Sequence, residues 1–200
     1  MINFKHKFVL IHVPKTAGSS FRYQLDQDSF EDKFKFGHAS AKDHMDYLGE
    51  DYKEYFSFAI TRNPWDRLVS SFFYLQKGGS QGKYDLKMEK KLSKFKSFED
   101  FICADSGLDS FLDEVHFKPQ YAMLYEGEEC LVDFVGKYEE LQQSFDFVCE
   151  KLNLKKTTLA HKNKSTHEHY SNCYNDHTIK IVADKYSKDI RKYNYIFENI

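Results

Sequence analysis

A short loop near the start of this sequence has the residue types of an anion-binding turn. Lys15 follows an apolar run at residues 8–13. Gly18 comes next, with the hydroxyls of Ser19 and Ser20 directly behind it. Where a strand turns into a helix, backbone N–H groups and the helix N-terminus attract an anion, and a lysine adds a full positive charge. The pattern predicts a phosphate-binding loop. An ordinary turn with an exposed lysine is the alternative that the loop alone leaves open.

The order of residues in this loop argues against ATP with magnesium as the ligand. The nucleotide triphosphatase loop, G-x-x-x-x-G-K-[ST], places its lysine after the second glycine. Here Lys15 precedes Gly18, and no glycine stands four residues ahead of Gly18. The order favours a smaller anionic group held in a shorter cradle.

A second candidate anion site follows the apolar segment 55–61. Arg62 ends this segment, and Ser70 lies about two turns into the helix that Asn63 caps. An arginine fork gives bidentate, charge-assisted bonds to phosphate, and a nearby hydroxyl adds a donor. Two separate anion sites indicate a ligand with phosphates at both ends. The alternatives are a salt bridge from Arg62 to Asp66 and a Ser70 hydroxyl that bonds back to its own helix.

One histidine is a candidate general base. His38 follows Gly37 near the end of a possible short strand at residues 34–36. A histidine titrates near neutral pH and can take a proton from an attacking hydroxyl. A surface-loop histidine is the alternative for His38. We expect His12 to pack inside the sheet. We expect His116 to be a core partner of Gln120, or to line the part of the site where the hydroxyl acceptor binds.

Alternating apolar and amphipathic segments predict an α/β fold with a central, mainly parallel β-sheet flanked by helices. Such sheets bind ligands beyond the carboxyl ends of their strands, where Lys15, His38 and Arg62 would all lie. We expect one domain over residues 1–200. Strands are predicted at 8–13, 34–36, 55–61 and 130–136. Helices are predicted at 18–28, 41–48, 64–77 and 141–152, and another begins at residue 98 after a Ser97–Asp100 capping box. One final helix is predicted from Asn175, with the inner residues Ile179, Val182, Ala183, Tyr186 and Ile190.

Composition excludes several classes of protein. The formal net charge of −2 provides no overall basic field for nucleic acid. No window approaches the ~20 apolar residues of a membrane span, and the start lacks a signal-peptide core, so we expect a cytoplasmic protein. The four cysteines form no Cys-x-x-Cys pair, which argues against a zinc or redox motif.

With both anion motifs in hand, the chain resembles sulfotransferases that use 3'-phosphoadenosine-5'-phosphosulfate (PAPS). It is most similar to the carbohydrate branch, which includes the heparan and chondroitin enzymes. "PKTAGSS" resembles that family's 5'-phosphosulfate loop, and "RNPWDRLVSSFFY" resembles its 3'-phosphate motif. Further matches are "GH" at 37–38, "HFKPQ" at 116–120, "VDFVGKYEEL" at 132–141, "HKNKS" at 161–165 and the closing "YSKDIRKYNY".

The resemblance implies a P-loop-like sulfotransferase fold, a role for each matching residue, and no essential metal. Lys15 would bind the bridging region of the phosphosulfate, and His38 matches the family's catalytic base. Arg62 and Ser70 would hold the 3'-phosphate. The other implied donor contacts are Thr16, Ala17, Gly18, Ser19 and Ser20 around the 5'-phosphate, and Asn163, Lys164 and Ser165 in a segment that closes over the donor.

The resulting hypothesis is sulfuryl transfer from PAPS to a hydroxyl of a carbohydrate or related acceptor, which leaves 3'-phosphoadenosine-5'-phosphate (PAP). A nucleotide or sugar kinase with a degenerate loop, and a non-catalytic phosphoadenosine-binding protein, remain as alternatives. The lysine-rich stretch 83–96 is interpreted as a solvated helix face, or as a guide for an anionic glycan.

Overall fold

The computed structural model describes residues 1–25, 30–31 (backbone only), 37–159 and 169–199. The predicted strand at 34–36 lies outside the described residues. Within the described ranges, no helix has the length and apolar character needed to cross a bilayer. These residues form two compact units, one from Met1–Arg62 and Gln120–Lys164, the other from Asn63–Pro119 and Ser165–Ile200. The expectation of one domain stays a prediction.

Short strands and helices alternate along the described chain. The strands are β1 (Ile2–Asn3), β2 (Phe8–Ile11), β3 (Phe30–Glu31), β4 (Phe56–Thr61), β5 (Tyr125–Glu126), β6 (Glu129–Cys130) and β7 (Phe134–Lys137). The helices are α1 (Gly18–Leu25), α2 (Ala41–Leu48), α3 (Pro64–Gln76), α4 (Lys83–Leu92), α5 (Phe98–Cys103), α6 (Tyr121–Leu124), α7 (Leu141–Lys151), α8 (Asp176–Lys185) and α9 (Ser187–Tyr193), with 3₁₀ turns at Gly49–Glu54, Leu108–Phe111, Tyr138–Glu140 and Tyr170–Cys173.

The first unit contains a mixed sheet with a parallel centre, in the order β3-β1-β2-β4-β7. β4 pairs in parallel with β2 on one side and β7 on the other, whereas β1 pairs antiparallel with β2 and β3. Every residue of β2 is buried, as its continuous apolar run predicts. Phe21 of α1 packs edge-on against Phe145 of α7, with ring centroids 5.4 Å apart. The predicted α/β class with a mainly parallel sheet is confirmed.

The predicted strand at 130–136 is wrong, because two separate strands replace it. Cys130 pairs with Tyr125 in a hairpin whose turn holds Gly127 at a φ of 58°. The chain then rejoins the main sheet at β7. Between them, the Asp133 carboxylate accepts bonds of 2.7 Å from both the backbone N–H and the hydroxyl of Ser57. The apolar run therefore has an interruption that its hydropathy does not reveal.

Helices and aromatic rings build the second unit. Asn63 caps α3 through a bond from Trp65 N to its side-chain oxygen, as predicted. Ser97 caps α5 by accepting from Asp100 N, whereas the Asp100 carboxylate accepts from Lys96 N. The core contains close ring pairs among Phe72, Phe98, Phe101, Phe111 and Phe117.

The predicted single final helix is two helices, α8 and α9. The break lies at Tyr186, whose backbone leaves the helical region with a φ of −105° and a ψ of 24°. Its buried hydroxyl donates to the Phe117 carbonyl oxygen at 2.5 Å. The predicted inner face is nevertheless correct, because Val182 and Tyr186 are buried and Ile179 and Ile190 pack against the same core.

Candidate functional site

The loop between β2 and α1 has a strained backbone. Lys15 and Ala17 both have a φ of 67°, in the left-handed region that non-glycine residues seldom adopt. The N–H groups of Ser20 and Phe21 donate to the Ala17 carbonyl and so begin α1. Turns of this kind form anion-binding concavities, and strained backbone of this kind clusters at functional sites. The geometry therefore agrees with the predicted anion loop.

The hydroxyl-bearing residues of this loop divide into two groups. Thr16 is buried, and its hydroxyl donates to the Val13 carbonyl at 2.9 Å, which closes the turn. Ser20 is also buried, whereas Ser19 is exposed. The backbone N–H of Thr16 can therefore donate a hydrogen bond to an anion, while its side chain stabilises the turn.

Gly18 leaves space for a neighbouring side chain. In the structure, a Cβ at this position would stand 2.1 Å from Cδ2 of His12. The absent side chain makes room for the His12 ring, which sequence reasoning placed inside the sheet.

His38 lies directly against His12. Its Nδ1 is 2.8 Å from the His12 carbonyl oxygen, and the two ring centroids are 4.5 Å apart. A carbonyl can only accept, so Nδ1 of His38 carries the hydrogen and donates it. The neutral ring then keeps its basic lone pair on Nε2, as a general base requires.

Arg62 ends β4 and joins the loop. Its side chain is 6% exposed, and Nη1 donates to the Lys15 carbonyl oxygen at 3.0 Å. The guanidinium also lies 4.1 Å from the ring centroid of Tyr138, a favourable cation–π distance. Gln120 fixes the backbone of Arg62 by accepting from its N–H at 2.9 Å and donating to its carbonyl at 2.8 Å.

The structure thus joins the Arg62 guanidinium to the backbone of Lys15 and places His38 against His12, the residue that follows β2. Sequence reasoning assigned no role at this site to Gln120 or Tyr138. Both belong to motifs that carried the resemblance, "HFKPQ" and "VDFVGKYEEL", and that was the only available signal. Gln120 is fully buried and contacts Arg62.

The structure does not test the roles of the remaining predicted site residues. Ser70 is a buried residue of α3 in the second unit. Asn163, Lys164 and Ser165 lie outside the described residues. Across the part of the chain that the structure describes, no group of three or more His, Cys, Asp and Glu side chains could hold a metal ion.

His116 and the lysine-rich stretch both belong to the second unit. The His116 ring stacks against the rings of Tyr74 and Tyr84, each at 5.8 Å. The lysine-rich stretch forms α4, whose Met88 and Leu92 are buried while most of its lysines face solvent. Both observations fit the structural alternatives considered above.

Comparison with known proteins identifies the family of this chain. A sequence model described as "Sulfotransferase family" matches residues 1–196. The chain belongs to the sulfotransferase family. It is also similar to an uncharacterized protein of Archaeoglobus fulgidus, with 26% identity over 116 residues that cover 58% of this chain and 82% of that protein. No solved structure matches it. The resemblance is therefore confirmed at the level of the family, and membership supports sulfuryl transfer to an acceptor.

Proposed function

We propose that this protein transfers a sulfuryl group from PAPS to a hydroxyl of a carbohydrate or related acceptor. The observation that carries the proposal is the bond from the Arg62 guanidinium to the carbonyl of Lys15. This bond joins Arg62 to the backbone of Lys15, and the two residues follow β4 and β2, which are neighbouring parallel strands. A donor with phosphates at both ends suits such a pair.

Residues of the first unit would make the main contacts with PAPS. The Lys15 ammonium and the N-terminus of α1 would hold the phosphosulfate, together with the backbone of residues 16–20. Arg62 would bind the 3'-phosphate, because a planar guanidinium suits bidentate phosphate recognition. Ser70, Asn163, Lys164 and Ser165 stay predictions from the resemblance. The carbohydrate branch is likewise part of this proposal.

The transfer step needs one base and one cation. Nε2 of His38 takes the proton of the acceptor hydroxyl while that oxygen forms a bond to sulfur. The bond between sulfur and the bridging oxygen breaks, and its electron pair stays on the 5'-phosphate of PAP. Lys15 stabilises the charge that develops there, which lowers the energy of the transition state more than that of the bound substrates.

Calorimetric titration with PAP, and separately with ATP and magnesium, tests this proposal. We expect the wild-type protein to bind PAP and to bind ATP with magnesium far more weakly. Lys15→Ala should weaken PAP binding, because a charge at the phosphate is lost. Binding of ATP with magnesium in preference to PAP would contradict the proposal and favour a kinase. PAP binding without transfer from PAPS to any hydroxyl acceptor would indicate a non-catalytic phosphoadenosine-binding protein.

A further inference from the structure

His12 contacts both parts of the candidate site. Its backbone carbonyl accepts the Nδ1 hydrogen of His38 at 2.8 Å. Its ring lies 4.5 Å from the His38 ring, with an angle of 50° between the planes. The Cδ2–Nε2 edge of the same ring occupies the space that a side chain on Gly18 would need. One residue therefore touches the candidate base and the first residue of the helix behind the anion loop.

The two contacts with His38 act on different properties of its ring. The carbonyl selects the tautomer, because it can bond only to a protonated Nδ1. The ring contact limits rotation of the His38 side chain, which otherwise turns freely about a broad χ2 torsion. Tautomer and orientation together decide whether the basic Nε2 meets an acceptor hydroxyl.

The contact with Gly18 keeps the His12 ring in place from the opposite side. Any larger residue at position 18 would collide with the ring at 2.1 Å. The ring is therefore held between α1 and His38. Displacement of the loop at the start of α1 would move the ring, and movement of the ring would release His38.

We propose that His12 is a positioning residue that holds His38 with Nε2 as its basic nitrogen and couples that base to the anion loop through Gly18. This inference rests on the proposed function, since it assigns His38 the role of base. His12 does not exchange protons with the acceptor in this scheme. When His38 takes the acceptor proton, its Nδ1–H remains bonded to the His12 carbonyl, which stabilises the imidazolium.

The test begins with a measurement that needs no acceptor. ¹⁵N NMR of the neutral histidine rings reports which nitrogen carries the hydrogen. In the wild-type protein we expect His38 to be protonated on Nδ1. His12→Ala keeps the backbone carbonyl but removes the ring that holds His38 against it. We expect His38 then to rotate away from the carbonyl and to show a mixture of tautomers. His177→Ala, which removes an exposed histidine of α8, is the matched control and should leave the His38 signal unchanged.

The second measurement separates positioning from donor binding. For His12→Ala we expect the turnover of PAPS to PAP to fall at least about tenfold, with PAP affinity within about twofold of wild type, because only the base is misplaced. Gly18→Ala provides a second route if His12→Ala fails to fold. It displaces the ring without deleting it and should produce the same tautomer mixture.

Two outcomes would overturn the inference. One is a wild-type His38 protonated on Nε2. The other is an unchanged tautomer and unchanged turnover in a folded His12→Ala variant. The tautomer measurement does not depend on the identity of the donor. A wild-type protein that fails to bind PAP but shows the expected tautomers would instead contradict the proposed function.

Discussion

Arg62 illustrates how single residues of the candidate site are fixed by distant neighbours. Its side chain bonds to the Lys15 carbonyl, and its backbone bonds twice to Gln120, which is 58 positions away. A guanidinium buried on such supports loses little conformational freedom when it binds phosphate. The chemistry of Arg62 is readable from its type, but its orientation depends on Gln120.

Replacing Gln120 should therefore affect both stability and donor affinity. Gln120→Leu removes the buried partner of the Arg62 N–H and carbonyl, and each lost partner costs about 1–3 kcal/mol. We expect the free energy of unfolding, measured with urea, to fall by about 2–4 kcal/mol, and PAP affinity to fall with it.

The exposed Gln143 of α7 provides the control for this variant. Gln143→Leu should change the free energy of unfolding by less than about 0.5 kcal/mol. An equal, small effect of both substitutions would show that the Gln120 bonds do not hold Arg62.

At the scale of elements, local signals predicted where chains turn and helices begin. The bounds of α2 and the Asn63 cap of α3 follow from capping chemistry and apolar spacing. The breaks at residues 131–133 and at Tyr186 did not. They depend on the Asp133–Ser57 bonds and on the Tyr186 hydroxyl bond to Phe117, contacts between residues 76 and 69 positions apart.

The contact between His12, which follows β2, and Gly18, the first residue of α1, leads to a double-variant prediction. Gly18→Ala should destabilise the protein, because its new Cβ meets the His12 ring at 2.1 Å. Adding His12→Ala removes the colliding ring, so the double variant should lose less stability than the sum of the two single variants. Urea unfolding of all four proteins measures this coupling, expected at about 1–2 kcal/mol. Strictly additive losses would mean that the two residues do not touch.

At the scale of the whole molecule, the sequence identifies the charged and titratable residues of the candidate site but not the residues that support them. Lys15, His38 and Arg62 are recognisable by type and by their place after apolar segments, and the structure puts them in one unit. The supports of the site, His12, Gln120 and Tyr138, are not recognisable in this way. Their roles arise from long-range contacts that no local pattern encodes.

A pH dependence of global stability follows from His44. Its Nδ1 donates to the Ser40 carbonyl, and its Nε2 lies 2.8 Å from the Met1 amino group. Burial of the ring, and next the positive charge of that amino group, lower the pKa of His44 from 6.5 to about 4. Between pH 6.5 and 4, His44 is therefore protonated in the unfolded chain but neutral in the folded chain.

The stabilisation from neutral His44 is complete above pH 6.5 and is lost as the pH falls toward 4. Its full size is about 3 kcal/mol. We expect urea midpoints to decrease over this range in the wild type, and to decrease less in His44→Gln, which has no group to titrate. His177→Ala should keep the wild-type slope. Parallel pH profiles for all three proteins would contradict this account.

The most direct test of the central claim is a binding cycle with PAP and adenosine 5'-monophosphate, which lacks the 3'-phosphate. Calorimetry would measure both ligands with the wild type, Arg62→Ala and, as a control, Arg191→Ala at an exposed arginine of α9. If Arg62 binds the 3'-phosphate, the wild type and the control should prefer PAP by about tenfold to a hundredfold, and Arg62→Ala should lose that preference. An equal preference for PAP in all three proteins would contradict the assignment of the donor site.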